Sequence, residues 1–153
     1  MIEVVFEDER WKALGLEALC GPAGREALAV TGRSDEGFEI VVMGCDDSRI
    51  ATLNKDFRGK PMPTNVLSWP ASETPPMQGG MPEIELGDIA IAFETCQREA
   101  AEKGIHVQEH VTHLVIHGIL HLLGYDHISE TEADEMEALE IKALAKLGIA
   151  NPY

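Results

Sequence analysis

Three histidines in the last third of the chain have the spacing of metal ligands. His117 and His121 are four positions apart, and His127 follows after a short interval. Side chains four apart on a helix lie one above the other, so two imidazoles can reach one ion. Gly124 can take a positive φ and end the helix, and the turn that follows can return His127 to the same ion. Three nitrogen ligands leave a fourth position open, which is the arrangement of a catalytic zinc site rather than a structural one.

Residues 107–123, which carry two of these ligands, predict a helix that is buried on most of its sides. Aliphatic residues cover nearly all of its surface. At about 3.6 residues per turn, the remaining narrow stripe consists of His110, His113, His117 and His121. We expect His113 to orient a ligand imidazole or to act as a base. The alternative is that His110 and His113 are core histidines whose ring nitrogens hydrogen-bond to carbonyl groups or water.

The residues next to the ligands limit the possible chemistry. The same histidine spacing occurs in metzincin proteases, where a glutamate directly after the first histidine is the general base. Here that position is Gly118, so a metalloprotease is only a remote alternative. Gly118 costs the helix about 1 kcal/mol relative to alanine, which predicts tight packing or a close approach by substrate or backbone. Asp126 is a candidate base or a residue that orients a ligand, with a structural turn residue as the alternative.

A basic cluster lies far from the histidines in sequence. It holds three of the twelve basic residues within six positions, namely Lys55, Arg58 and Lys60. The guanidinium of Arg58 can hold a phosphate with two hydrogen bonds and stabilise charge in a transition state. We therefore predict Arg58 and His117 as catalytic residues and the three basic residues as contacts for the phosphates of a nucleic acid. A solvated helix end with cations near the C-terminal dipole is the alternative.

The net charge of -15 excludes a broad basic surface for nucleic acid. Much of the excess charge lies in one segment, which we predict to be a solvated helix face: Glu130, Glu132, Asp134, Glu135, Glu137 and Glu140. Any contact with nucleic acid must therefore come from a local basic patch or from the metal.

The patterns along the chain predict an α/β fold, a small mixed β-sheet packed with helices, with the metal site on a buried helix in the C-terminal half. Strands are predicted near residues 2–6, 38–43, 64–69 and 84–93. Helices are predicted near residues 11–30 with an interruption at Gly21 and Pro22, from a cap at Asp46 or Asp47 to Phe57, and over residues 94–103, 107–123 and 130–147. Residues 70–83 predict a mobile loop. A length of 153 residues without internal repeats predicts a single domain, 1–153.

The expected compartment is the cytoplasm. The three cysteines are odd in number and far apart, which fits free thiols in a reducing environment. The first residues are acidic and lack the basic start of a signal peptide. No run approaches the roughly 18 apolar residues of a membrane span.

Several segments together resemble one family. The segment His117-Gly118-Ile119-Leu120-His121 and its continuation through Gly124-Tyr125-Asp126-His127 resemble the signature of the YbeY family, which are bacterial rRNA maturation factors and single-strand endoribonucleases. Three further segments are similar to motifs of the same family: residues 57–60 with 63–70, Leu86-Gly87-Asp88-Ile89, and Asn151-Pro152-Tyr153. The match covers roughly residues 38–153, and Trp69 stands where a smaller aromatic residue is expected.

The resemblance implies one Zn²⁺ ion held by the three histidines, with Arg58 serving the RNA. It also implies a role in small-subunit rRNA maturation and ribosome quality control, with ribosomal RNA, the small ribosomal subunit, ribosomal proteins or an assembly GTPase as partners. Nickel, copper and iron also suit imidazole ligands. The alternative is a ribosome-assembly binding factor whose structural zinc has a fourth ligand from Asp126, His113 or a cysteine. Attack by water or by the RNA 2′-hydroxyl group stays open.

Overall fold

The computed structural model describes residues 2–34, 37–71 and 84–153. Its strands are β1 (Ile2–Phe6), β2 (Phe38–Cys45), β3 (Val66–Pro70) and β4 (Ile84–Ala92), and its helices are α1 (Arg10–Leu14), α2 (Leu16–Val30), α3 (Asp47–Arg58), α4 (Phe93–Lys103), α5 (Val107–Leu122) and α6 (Glu130–Lys146). The predicted loop over residues 70–83 lies almost wholly outside the described residues. No helix in the described part of the chain is long and apolar enough to cross a membrane.

The four strands form one mixed sheet in the order β1-β2-β4-β3. β2 pairs in parallel with β1 and with β4, and β3 pairs antiparallel with β4. The parallel pair of β1 and β2 is joined through α1 and α2, because a parallel connection needs a crossover of this length. The expected α/β class with a small mixed sheet is therefore confirmed.

The sheet is covered on both faces because side chains alternate along its central strands. Ile89 and Ile91 of β4 belong to the larger core cluster, which includes residues of α2 and α5. Ala90 and Ala92 belong to a smaller cluster with Ile50 of α3. Helix α3 and helix α5 thus pack on opposite faces, and β3 forms the sheet edge beside both of them.

The start of α3 is held by capping and by a reciprocal contact with α4. The Asp46 carboxylate accepts a hydrogen bond from the Arg49 backbone N–H at 2.7 Å, as expected for an N-cap. The Asp47 carboxylate accepts from the backbone N–H and hydroxyl of Thr95 at 3.0 and 2.8 Å, and Glu94 accepts from the Asp47 N–H at 3.0 Å. These contacts fix the direction of α3 and hence the position of its last turn.

The first predicted helix is interrupted at a different residue from the one expected. The helix is interrupted at Gly15, which has a φ of 90° and separates α1 from α2. The predicted interruption near Gly21 and Pro22 was wrong, since Pro22 lies inside α2. The ring of proline already has a helical φ, and the cost of the lost hydrogen bond is offset by the buried face of α2, which includes Cys20 and Ala23.

The three cysteines are buried free thiols. Burial raises the pKa of Cys20 and of Cys45 to about 12. Because the thiolate is the reactive form, these side chains behave as small apolar core residues.

Gly87 is required where β3 approaches β4. Its φ is 147°, and a Cβ atom there would collide with the carbonyl oxygen of Trp69 and lie 2.8 Å from Leu122 Cδ2. We expect Gly87→Ala to lower the free energy of unfolding by about 2 kcal/mol or more, because backbone and a buried leucine must both shift. Urea unfolding followed by circular dichroism measures this change.

Gly21→Ala is the matched control. A Cβ atom at Gly21 has no neighbour within 4 Å, and alanine favours a helix by up to about 1 kcal/mol. Gly21→Ala should therefore leave the stability unchanged or raise it. Equal unfolding midpoints for the two variants would contradict the close approach of the strands.

Candidate metal centre

Helix α5 ends in a turn that brings the residues after it back toward the last turn of the helix. Gly124 has a φ of 99°, as predicted, and its N–H donates to the His121 carbonyl at 3.0 Å. The Tyr125 N–H donates to the Leu120 carbonyl at 3.0 Å. The reversal brings the ring of His127 to 5.1 Å from the ring of His121, measured between centroids.

The three predicted ligands converge. The Nε2 atoms of His117 and His121 are 3.0 Å apart, and the ligand atoms of all three histidines lie within 4.8 Å of one another. Ligands of a tetrahedral zinc ion at about 2.0–2.1 Å are separated by roughly 3.3 Å. The three-histidine cluster can therefore bind a metal ion. No fourth histidine, cysteine, aspartate or glutamate joins it among residues 2–34, 37–71 and 84–153.

Hydrogen bonds at the far side of two rings set their protonation. His117 Nδ1 lies 3.1 Å from Glu140 Oε2, and His121 Nδ1 lies 3.0 Å from the Tyr125 carbonyl oxygen. Carboxylate and carbonyl oxygens only accept, so in the neutral form of each ring the proton lies on Nδ1 and the lone pair on Nε2. Burial, together with the neighbouring His117, lowers the pKa of His121 and keeps that ring neutral. Two facing lone pairs at this separation fit a cation between them.

Glu140 is a site residue that the sequence analysis missed. The acidic segment was predicted to be a solvated helix face, which agrees with the exposure of Glu130, Glu132, Asp134 and Glu135. The prediction was wrong for Glu140, which is 1% exposed. The available signal was its position, because Glu140 lies on the same buried stripe of α6 as Met136, Ala143 and Leu144.

The Glu140 carboxylate collects three hydrogen bonds. Oε1 accepts from His113 Nε2 and from the Tyr153 hydroxyl at 2.6 Å, and Oε2 accepts from His117 Nδ1. Burial alone would raise the pKa of Glu140, but these hydrogen bonds outweigh it and lower the pKa to about 2. Burial and the adjacent Glu140 raise the pKa of Tyr153, so its hydroxyl stays a donor. An ionised, buried carboxylate thus accepts a hydrogen bond from His117, one of the predicted metal ligands.

The histidines open into a cavity of about 880 Å³. Strand β3 and the residues just before it form one wall, and the turn after α5 forms another. Arg58, from the last turn of α3, lines the same cavity, as does Asp126. Lys55 and Lys60 are exposed and are not among the described lining residues. The fold therefore brings one member of the predicted basic cluster to the histidines.

The remaining predicted site residues have structural contacts of their own. Asp126 Oδ1 accepts from the His127 backbone N–H at 2.7 Å but lies 3.9 Å from His127 Nδ1. Its side chain is 46% exposed. His113 and His117 both hydrogen-bond to Glu140, and their ring centroids lie 6.4 Å apart in an edge contact. His110 Nε2 pairs with Glu99 Oε1 at 2.8 Å. The role of Asp126 or His113 as a base stays a prediction.

Gly118 is explained by packing against the sheet. A Cβ atom at this position would lie 3.1 Å from Cδ1 of Ile89. The glycine lets α5 lie close to β4 and leaves the cavity wall without a side chain next to His117. It also means that no carboxylate stands where a metzincin protease has its general base.

The chain is similar to known proteins over most of its length. The family model described as Endoribonuclease YbeY matches residues 17–148. Proteins named Endoribonuclease YbeY are 56% identical in Cereibacter sphaeroides, over 100% of this chain and 98% of the relative, and 44% identical in Erythrobacter litoralis, over 99% and 98%. The solution structure of TM1509 from Thermotoga maritima shares the fold, with a TM-score of 0.60 and 24% identity over 97% of this chain and 92% of that one. The family match and these identities show that the chain belongs to the YbeY endoribonuclease family.

Proposed function

We propose that this chain is a zinc-dependent endoribonuclease that cuts single-stranded RNA and acts in small-subunit rRNA maturation and ribosome quality control. One observation carries the proposal: three histidines arranged to bind a metal share a cavity with Arg58. The name Endoribonuclease YbeY of its relatives supports RNA as the substrate.

His117, His121 and His127 would hold the zinc ion. When bound, zinc polarises a phosphoryl oxygen and activates the attacking group at neutral pH. The protein's own part is to orient the ligands: Glu140 directs the Nε2 atom of His117 toward the cluster, and the Tyr125 carbonyl does the same for His121. Water and the RNA 2′-hydroxyl group are both possible attacking groups.

Arg58 would bind the phosphate that is cut. Its guanidinium is exposed on the cavity wall and can donate two parallel hydrogen bonds to phosphate oxygens. A donor placed in this way stabilises the charge that develops on the phosphoryl group. We propose that Lys55 and Lys60 contact RNA outside the cavity. Asp126 lines the cavity and is our candidate for the general base.

Arg58→Ala tests the proposal. The variant should keep one zinc ion per chain, because Arg58 is not part of the histidine cluster. Its kcat should fall by about 10²–10³-fold, the usual effect of removing a donor to transition-state charge. Elemental analysis measures the zinc, and a labelled single-stranded RNA measures the cleavage.

Lys146→Ala is the matched control, since Lys146 is an exposed basic residue in the last turn of α6 and is not among the described residues that line the cavity. It should cleave RNA at close to the wild-type rate. The proposal fails if the zinc-loaded protein cuts no RNA, or if the two variants lose activity equally.

A ribosome-assembly binding factor with a structural zinc is the second candidate. The net charge of -15 favours it, because this charge repels RNA phosphates. A structural zinc needs a fourth protein ligand, yet His113 is engaged with Glu140 and the three cysteines are buried thiols in the core. X-ray absorption separates the candidates: three nitrogens and a water oxygen favour the enzyme, and a sulfur ligand favours the binding factor.

We also propose that residues 1–153 act as one domain in the cytoplasm, with the small ribosomal subunit as partner. The buried free thiols agree with a reducing compartment. Co-sedimentation of the protein with purified small subunits tests the partner.

A further inference from the structure

Phe57 and Trp69 form an exposed aromatic pair on the cavity wall. Their ring centroids are 5.1 Å apart with an angle of 65° between the planes. Phe57 is 62% exposed, although it is one of the largest apolar side chains. Both residues line the cavity that contains the three histidines and Arg58.

The two rings are held differently. Trp69 packs against the smaller core cluster, which contains Ile50 and Leu67, so its position is set by the sheet. Phe57 lies outside both core clusters and leans on Trp69 from the last turn of α3, directly before Arg58. A fixed ring and an exposed ring beside a guanidinium form an apolar surface that is open to a flat ligand.

An unpaired nucleobase is the ligand that this surface fits. Single-stranded RNA presents bases that stack on aromatic side chains, whereas the faces of paired bases are already covered in a duplex. Stacking does not depend on charge, which matters in a chain with a net charge of -15. A cavity of about 880 Å³ also has the size of pockets that enclose small organic ligands.

We propose that Phe57 and Trp69 form a base-stacking subsite for an unpaired base next to the phosphate held by Arg58. This inference rests on the proposed function and deepens it. It provides a physical source for the single-strand preference and for RNA binding by an acidic protein.

Trp69 is a built-in reporter for the test. The other tryptophan, Trp11, is fully buried, and its Nε1 donates to the Cys45 carbonyl at 2.8 Å, so its emission should not change. The zinc-loaded protein is mixed by stopped flow with a single-stranded oligoribonucleotide, with an abasic strand of equal length and with a duplex. We expect rapid quenching of Trp69 fluorescence, before cleavage, with the single-stranded oligoribonucleotide only.

The variants separate stacking from folding. Phe57→Ala should raise the Kd for the single strand about tenfold, and Phe57→Trp should restore the wild-type affinity. Met62→Ala is the matched control, because Met62 is 59% exposed nearby but is not among the described lining residues. Thermal unfolding of each variant verifies that it is folded.

Three binding results would overturn the subsite: equal quenching by the abasic strand, equal affinity of Phe57→Ala and Met62→Ala, or no recovery of affinity in a folded Phe57→Trp variant. Failure of the proposed function has a different signature. In that case the strand quenches Trp69 but is never cut. Cleavage of abasic and normal strands with equal KM would instead contradict the subsite alone.

Discussion

His121→Ala is expected to lose zinc and RNA cleavage together. The substitution leaves two imidazoles in a cluster that otherwise offers three ligand atoms within 4.8 Å. If a binding free energy of about 10–16 kcal/mol is divided among the ligands, the loss of one weakens zinc binding by roughly 10²–10³-fold or more. Competition with a chelator of known affinity measures the Kd, and single-stranded RNA measures the cleavage.

Thermal unfolding provides a second readout that does not need activity. A ligand that binds the native state raises the unfolding temperature as its concentration increases. Added zinc should therefore stabilise the wild-type protein and have little effect on His121→Ala.

His106→Ala is the matched control for the loss of an imidazole. His106 is exposed at the N-cap of α5 and its side chain makes no capping hydrogen bond. It should bind zinc and cleave RNA like the wild-type protein. A zinc Kd in His121→Ala equal to that of the wild-type protein would contradict the three-histidine site.

Glu140→Ala has the second largest expected effect, and it acts on both stability and metal binding. The change leaves three donors without their acceptor: His113 Nε2, His117 Nδ1 and the Tyr153 hydroxyl. Each buried donor that is left without an acceptor usually costs about 1–3 kcal/mol of unfolding free energy. Loss of the group that orients a histidine ligand usually weakens metal binding by about 10–100-fold.

Two measurements separate these effects. Urea unfolding of the metal-free protein reports the stability, and a zinc competition titration reports the affinity. Glu140→Gln keeps the volume of the side chain and removes the charge, so its loss of zinc affinity reports the orienting role of the carboxylate.

Glu135→Gln removes a charge from an exposed position on the same helix and should change neither quantity. If Glu140→Gln folded normally and bound zinc as tightly as Glu135→Gln, the carboxylate would not orient His117. Helix α6 would then contribute no orienting group to the metal centre.

Local features of the chain were predicted well. Strand β1 has the predicted bounds. Helix α3 begins after the predicted cap Asp46 and ends at Arg58, one residue beyond the predicted Phe57. The turn at Gly124 and the shared stripe of histidines on α5 also agree with the structure. These features depend on hydrogen bonds and side-chain spacing within a few residues, which can be read directly from the order of residue types.

Predictions failed where packing outweighed a local preference. Pro22 usually interrupts a helix, but the buried face of α2 carries the helix through it. Glu140 is usually an exposed residue type, but three donors from α5 and from Tyr153 make its burial favourable. In both cases the deciding groups are brought together by tertiary contacts.

The order of residues by itself determined the helix that carries His117 and His121 and the turn that follows it, because the rise and rotation of a helix are set by its backbone. Only the tertiary structure decided which distant groups complete the site. Arg58 reaches the cavity because α3 and α5 cover opposite faces of the sheet and residues of both line the cavity beside β3. Glu140 reaches His117 because α6 packs against α5. Such placements depend on the packing of the whole core. They cannot be predicted from any single segment of the chain, because each segment contributes only a small part of that packing.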